Sequence, residues 1–428
     1  MVRIALAGDL LVTRRLRGAI DSGYLSSLTD VTHAAELAVA NLETLLHDYS
    51  SPASAVSGGT WLRAEPAVAG ELREIGFTML ARANNHALDF GAGALAETSR
   101  HLERAGVRHA GAGTCLAEAM APAVYETVGA RVALVSVCAT LPPGAAATRP
   151  RGAIPGRPGI APLRHHRWHT VPEPVLRTLH EVAGACLIEP GSNPEGVTIG
   201  RHVFVGGEGY AVSSEPDTED LESLIESVIE ARRVADVVLV SIHSQECDDD
   251  PDWHLPPRFL RLAARRVAEA GAFAVFGHGP HILRGLEFHR GVPILYSLGT
   301  LFFQNDVVAG YPDDARRAYG PPPYPSCEAG DRVIEARKLA SAGYDFRADE
   351  RFSQTVVAVM NGDSAGCAEL TLVPFTVDRS ESLAVRGLPR QADERSAAQI
   401  VDRLTQLSAD LGVTLRSRDG VAHLRMRN

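Results

Sequence analysis

Five short apolar runs in this 428-residue sequence end in groups that can hold a cation or move a proton. The first ends at Gly8 and Asp9, the second at Asn41 and Glu43, and the third at Asn84, Asn85 and His86. Further along, "SIHSQE" presents His243 and Glu246, and "GHGPH" presents His278 and His281. Carboxylate, amide and imidazole together suit Mn, Fe, Zn or Ca better than a thiolate set would. A lone "GD" is common, and a single histidine at a strand end is more often hydrogen-bonded than a ligand. Two imidazoles three residues apart after an apolar strand are unusual, and five such endings point to a metal site. In open α/β sheets, ligands sit beyond the carboxyl ends of the strands, which gives these groups one destination. His33, His101, His109 and His289 lack this setting and read as surface or helix residues.

Other catalytic templates are missing. There is no P-loop, no G-x-G-x-x-G at the first strand and no G-x-S-x-G elbow. The six cysteines (Cys115, Cys138, Cys186, Cys247, Cys327 and Cys367) are scattered, without a C-x-x-C pair, and read as reduced thiols. A formal net charge of -10 speaks against a nucleic-acid partner. Lys338 is the single lysine, a bias that GC-rich coding explains. The N-terminal run enters Gly8 and Asp9 with no cleavage site, and no apolar stretch is long enough to span a bilayer. The expected location is cytoplasmic, with no membrane partner.

The elements that must position these groups follow an α/β rhythm. Strands are expected at "RIALAG" from Arg3, "LAVAN" from Leu37, "FTMLA" from Phe77 and "RVALVSVCA" from Arg131. "PAVAGELREIG" and "GALAETSRHLERAG" between them carry helical spacing, the second stopping at Gly106. About 141–215 is rich in Pro, Gly and Arg and reads as a long surface excursion. The rhythm returns with a helix near 217–233, the strand "ADVVLVSIH", a helix near 257–270 and the strand "AFAVFGHG". "LRGLEFHRGVPILYSLG" reads as a hairpin turning at His289–Gly291. A second excursion covers about 305–350 and includes "PPPYPSC". Two antiparallel strands, "QTVVAVM" and "AELTLVPFTV", and a helix near 391–411 follow. The expected organisation is one layered α/β domain over 1–428, with insertions at about 141–215 and 305–350 and a closing strand pair plus helix over about 353–428.

Taken in order, "GDLL", "ANLET", "ANNHALDFG", "SIHSQE", "GHGPHILRGLE" and "ILYSLGTLFF" resemble the motifs of CapA-type proteins, named for poly-γ-glutamate capsule synthesis. The resemblance covers roughly 1–140, 235–305 and the closing strands. It implies the calcineurin-like metallophosphoesterase fold, a two-sheet α/β sandwich with a metal centre at the loop ends. Glu43 then stands for the bridging carboxylate, Asn85 for the amide ligand, and His243 and His278 for imidazole ligands. His86 matches the acid/base histidine, and Asp9 and His281 match ligands of a second metal position. The sequence departs from the phosphoesterase pattern twice. Asp9 is followed by Leu10 and Leu11 where a histidine ligand is usual, and the final histidines are three apart rather than two. One divalent metal on Glu43, Asn85, His243 and His278 is the simpler expectation, leaving Asp9, His86 and His281 for proton transfer.

A soluble branch of CapA-like enzymes epimerises a residue of a lasso-peptide precursor. This chain resembles it in its lack of an anchor, its missing phosphatase histidine and its large insertions. The expected activity is then metal-dependent peptide epimerisation by two-base proton transfer, with His86, oriented by Asp9, on one face of the α-carbon and His281 on the other. Arg157 and Arg164 are candidate carboxylate clamps and Trp168 a candidate apolar contact for the peptide. Two other readings stay open: a metal-dependent hydrolase of a γ-glutamyl amide or phosphoester, and a non-catalytic binding protein.

Overall fold

The computed structural model describes residues 1–188, 196–308, 310–319, 329–340, 346–418 and 420–425. Two β-sheets lie face to face. In the larger, the strand Val2–Leu11 pairs in parallel with Leu37–Leu42, which pairs in parallel with Phe77–Ala81. On its other side Val2–Leu11 pairs antiparallel with Gln354–Asp363, which continues into Gly366–Val377. In the smaller sheet Arg131–Cys138, Val237–His243, Ala274–His278 and Val292–Leu298 run parallel. Leu283–His289 closes that sheet as a hairpin, with left-handed residues Arg290 (φ 50°) and Gly291 (φ 83°) at the tight turn.

The sandwich follows from residue type. Val and Leu from both faces of these strands are buried, and one core joins Ile4, Leu6, Val39 and Met79 of the larger sheet to Leu134, Leu239, Phe276 and Leu295 of the smaller. Parallel strands buried on both faces need helices outside. Val68–Ile75 covers the outer face of the larger sheet. Thr218–Val234 and Arg258–Glu269 cover the smaller. This is the two-sheet α/β sandwich expected from the sequence.

Differences concentrate in the excursions. The segment around 141–215 is no bare loop: it folds into the helix Glu173–Ala185 and a four-stranded sheet of Gly196–Ile199, His202–Gly206, His165–Val171 and Ala211–Pro216. Its central strand, "HHRWHTV", is too polar to announce itself as a strand. The second excursion contributes the helices Asp313–Tyr319 and Ala329–Ala340, while "PPPYPSC" lies outside the described residues. The first strand also runs further than expected, so Gly8 and Asp9 lie within it.

Candidate active site

Parallel pairing brings the strand ends to one edge of the sandwich. Asp9 stands opposite Asn41 in the larger sheet, and His243 stands opposite His278 in the smaller. Gly8 makes the close approach possible, since a Cβ there would lie 1.8 Å from the carbonyl oxygen of Gly299. Asp9 and Thr300 are register partners across that crossing.

Asp9 is the hub. Its carboxylate accepts from Asn41 Nδ2 at 2.8 Å and from the Gly279 amide at 2.9 Å. It lies 3.3 Å from His278 Nδ1, 3.3 Å from His281 Nδ1 and 3.7 Å from His243 Nδ1. Burial alone would raise the pKa of Asp9, but the bonds to His278 and His281 outweigh it and hold the carboxyl well below the usual range. Glu43 shows the opposite balance: burial first, then the charge of Asp9, pushes it well above the usual range. Burial also pushes His243 well below an ordinary imidazole.

Four buried atoms in this cluster have no hydrogen-bond partner: both carboxylate oxygens of Glu43, Oδ1 of Asn85 and Nε2 of His243. Each such atom costs about 1–3 kcal/mol when left unpaired. His243 Nε2 lies 3.7 Å from Glu43 Oε1, and the Asn85 amide is fixed by its Nδ2 donating to Gly58 O at 2.9 Å. Three are oxygen acceptors, and the nitrogen is on an imidazole that burial keeps neutral. That is the donor set of a hard or borderline divalent cation. Asp9, His243 and His278 form one group with ligand atoms within 4.8 Å of one another, and Asp9, Glu43 and His281 form another. Sequence reasoning assigned Asp9 to proton transfer, whereas the structure puts it inside both groups.

The remaining nitrogens are oriented from behind. His278 Nε2 meets Ser241 Oγ at 2.6 Å, and His281 Nδ1 meets Thr300 Oγ1 at 3.0 Å. Such partners fix tautomer and ring plane for a ligand or a base. His281 has φ 61°, a left-handed conformation that costs energy for a non-glycine residue and collects at functional sites.

His86 is held differently from the sequence expectation. Asp9 does not orient it. Its Nδ1 contacts Asp89 Oδ2 at 2.7 Å, and Asp89 is itself fixed by the amides of Gly58 (3.0 Å) and Leu62 (2.8 Å). The turn is set by Asn84, whose Oδ1 accepts from the His86 amide and whose Nδ2 donates to Leu42 O. His86 Nε2 lies 4.0 Å from Glu43 Oε1, so the ring faces the cluster. Asp89 was missed although it lies in the motif "NNHALD"; the spacing of three within a turn was the available signal.

A cleft of about 510 Å³ opens over the cluster, bordered by His86, His281, Trp253, Phe303, Arg337 and Arg351. Arg157, Arg164 and Trp168 do not border it. Arg164 is tied to Asp220 at 2.8 Å, Arg157 donates to Ala146 O at 3.0 Å, and Trp168 sits on the inserted sheet. No described helix is long and apolar enough to cross a membrane.

Comparison with known proteins gives the family. The uncharacterized proteins y4sH and y4uA of Sinorhizobium fredii are each 32% identical over 98% of this chain and 92% of their own length. The PGA biosynthesis protein CapA of Bacillus subtilis is 26% identical over 54% of this chain, which spans only 44% of CapA. A putative 5'-nucleotidase from Staphylococcus aureus aligns at TM-score 0.40 and 9% identity, over 95% of this chain and 58% of that one, too weakly to bear on function. The family model for the bacterial capsule synthesis protein PGA_cap matches residues 3–305, and the chain belongs to that family.

Proposed function

We propose that this chain is a metal-dependent peptide epimerase that inverts the α-carbon of the C-terminal residue of a ribosomal lasso-peptide precursor. The observation that carries the reading is the pair His86 and His281 in the wall of one cleft, each with Nδ1 already committed to a partner. Glu43, Asn85, His243 and Asp9, with His278 beside them, would hold the cation. When bound, a divalent cation supplies Lewis-acid stabilisation of the charge that develops on a substrate carboxylate.

The protein's own groups move the proton. Nε2 of His86 takes the α-proton, and the C–H electron pair passes into the adjacent carboxylate system. Protonated His281 returns a proton to the opposite face, forming the new C–H bond. Both imidazoles reset by exchange with water, so atoms and charge balance. Asp89 keeps His86 in the tautomer that leaves Nε2 free to accept. Arg337 in the cleft wall would meet a C-terminal carboxylate, beside Arg351, which is itself paired with Asp349 at 2.6 Å.

A hydrolase of a γ-glutamyl amide or phosphoester is the second reading. It is favoured by the two ligand groups that share Asp9, an arrangement that suits a two-metal site. Chiral amino-acid analysis of a precursor peptide after incubation separates the two. Inversion without change of mass supports the epimerase, and a cleaved product with unchanged chirality rejects it.

A further inference from the structure

His281 is not the only strained residue in the cleft wall. Trp253 also has φ 61°, a conformation that costs energy for a bulky side chain and persists only where its surroundings impose it. Its amide donates to Asp250 O at 3.2 Å, and Asp250 Oδ1 accepts from the Asp252 amide at 3.0 Å. Arg351 Nη1 donates to Asp252 O at 3.0 Å, and Arg284 Nε donates to Trp253 O at 3.0 Å. The ring gains no core packing in return. Trp253 is 43% exposed at the cleft, whereas Trp61 is 7% exposed and donates its indole N–H to Ser54 O at 2.8 Å.

Arg284 carries a cost of its own. Its guanidinium is buried, forms no ion pair among the described residues and leaves Nη1 without a hydrogen-bond partner there. Burial pulls its pKa down to about 10. Its Nη2 donates to Glu246 O at 2.7 Å, so one side chain ties both ends of the loop from Glu246 to Trp253. Arg284 lies three residues after His281, on the strand Leu283–His289. The loop that carries Trp253 is thereby fastened to the segment that carries His281. Backbone strain and a buried, unpaired charge both keep one apolar ring at the cleft, and neither stabilises the fold.

We propose that Trp253 is a specificity-determining residue that packs on an apolar side chain of the peptide substrate, and that Arg284 is the positioning residue that holds its ring in place. The proposal rests on the reading of the substrate as a peptide. An indole face is a broad, rigid apolar surface with little conformational entropy to lose, which suits it to a binding contact. Phe303 and Ile282 border the same cleft and extend the apolar wall. A ring fastened through the His281 segment keeps a constant offset from that histidine, so its contact with a substrate side chain aligns the α-hydrogen. A γ-linked glutamate chain carries carboxylates instead of apolar side chains and gains nothing from this contact.

The test is fluorescence anisotropy of the metal-loaded full chain with labelled Gly-Gly-Gly-Leu-Leu, labelled Gly-Gly-Gly-Ser-Ser and a labelled γ-linked glutamate oligomer. Wild-type protein should bind the Leu peptide at least about tenfold more tightly than either comparison probe. Trp253→Gly should lose that preference without losing thermal stability, because glycine accepts the left-handed backbone. Arg284→Met should reduce the preference with metal content unchanged, and should raise KM for the full precursor more than it lowers kcat. Should that variant misfold, Arg284→Lys, which keeps the charge but not the fork of donors, reads the same split. Equal binding of the three probes, no binding of the Leu peptide, or a preference that survives in Trp253→Gly overturns the proposal. Lower thermal stability of Trp253→Gly makes the strained ring structural and overturns it too. A fall in kcat with KM unchanged in the Arg284 variant overturns the positioning role. Absence of α-proton exchange on the full precursor with the Leu preference intact would sink the epimerase reading alone. Intact exchange without the preference would sink this contact alone.

Discussion

The strand-end cluster and the inserted sheet both gather histidines, yet they are built in opposite ways. In the cluster three imidazoles, buried or nearly so, are each backed by a specific partner: Ser241 for His278, Thr300 for His281, Asp89 for His86. On the inserted sheet, His169 and His202 lean on each other at 3.0 Å near solvent. The difference shows where a missing ligand leaves a trace. A buried polar atom must be paired, so the orphaned atoms of Glu43, Asn85 and His243 report a cation. Near the surface water satisfies such atoms, so the sheet speaks only through its shape and charge.

The largest expected effect lies in the buried cluster. Glu43→Ala or His243→Ala should remove bound metal and abolish turnover, read by elemental analysis alongside activity. Equivalent changes on the sheet, such as His202→Ala, should leave metal content untouched. If wild-type protein is metal-free and chelators leave activity unchanged, the contrast between the two regions collapses.

Asp89→Asn should come next. It keeps the metal but should lower kcat by roughly 10²–10⁴, because it disturbs the tautomer and basicity of His86. Asp9→Asn should instead register in metal content, since Asp9 touches three histidines of the cluster and not His86. Equal metal loss in both variants would erase the division between holding the cation and moving the proton.

The pH response has a definite sign. Burial and the charge of Asp9 raise Glu43 in the metal-free protein. A carboxyl raised on folding contributes stability at low pH that is lost as pH climbs above the ordinary glutamate range. Metal-free Glu43→Gln should therefore gain stability relative to metal-free wild type as pH rises, measured by denaturant unfolding. Metal affinity of the wild type should rise over the same range as the proton leaves Glu43. A difference between the two proteins that stays flat with pH would contradict the buried placement of this carboxyl.

Much of the cluster was legible because strand periodicity and a polar ending are local signals. "FTMLA" followed by Asn84, Asn85 and His86 is such a case, and the structure ends that strand at Ala81. The hairpin at His289–Gly291 was legible for the same reason. What was hidden depends on distant packing. Asp89 is fixed by the amides of Gly58 and Leu62, far away in sequence, which its local spacing to His86 does not reveal. Trp253 and Arg337 border the cleft from segments far apart in the sequence. Arg164 looked like a carboxylate clamp, and it is one, but for Asp220 at the start of Thr218–Val234. Arg164→Ala should thus cost about 1 kcal/mol of stability, the scale of a partly exposed pair, and leave the kinetics alone. A raised KM with unchanged stability would return it to the substrate.

The central claim is that His86 and His281 exchange protons with one α-carbon from opposite faces. Incubation of a full-length precursor peptide in deuterium oxide, read by mass and by chirality, tests it most directly. Wild-type enzyme should add one deuterium at the inverted residue. His86→Ala and His281→Ala should each stop inversion while leaving slow exchange with opposite configurations of the substrate. A peptide whose α-hydrogen stays in place with wild-type enzyme while a cleaved product accumulates would contradict the account.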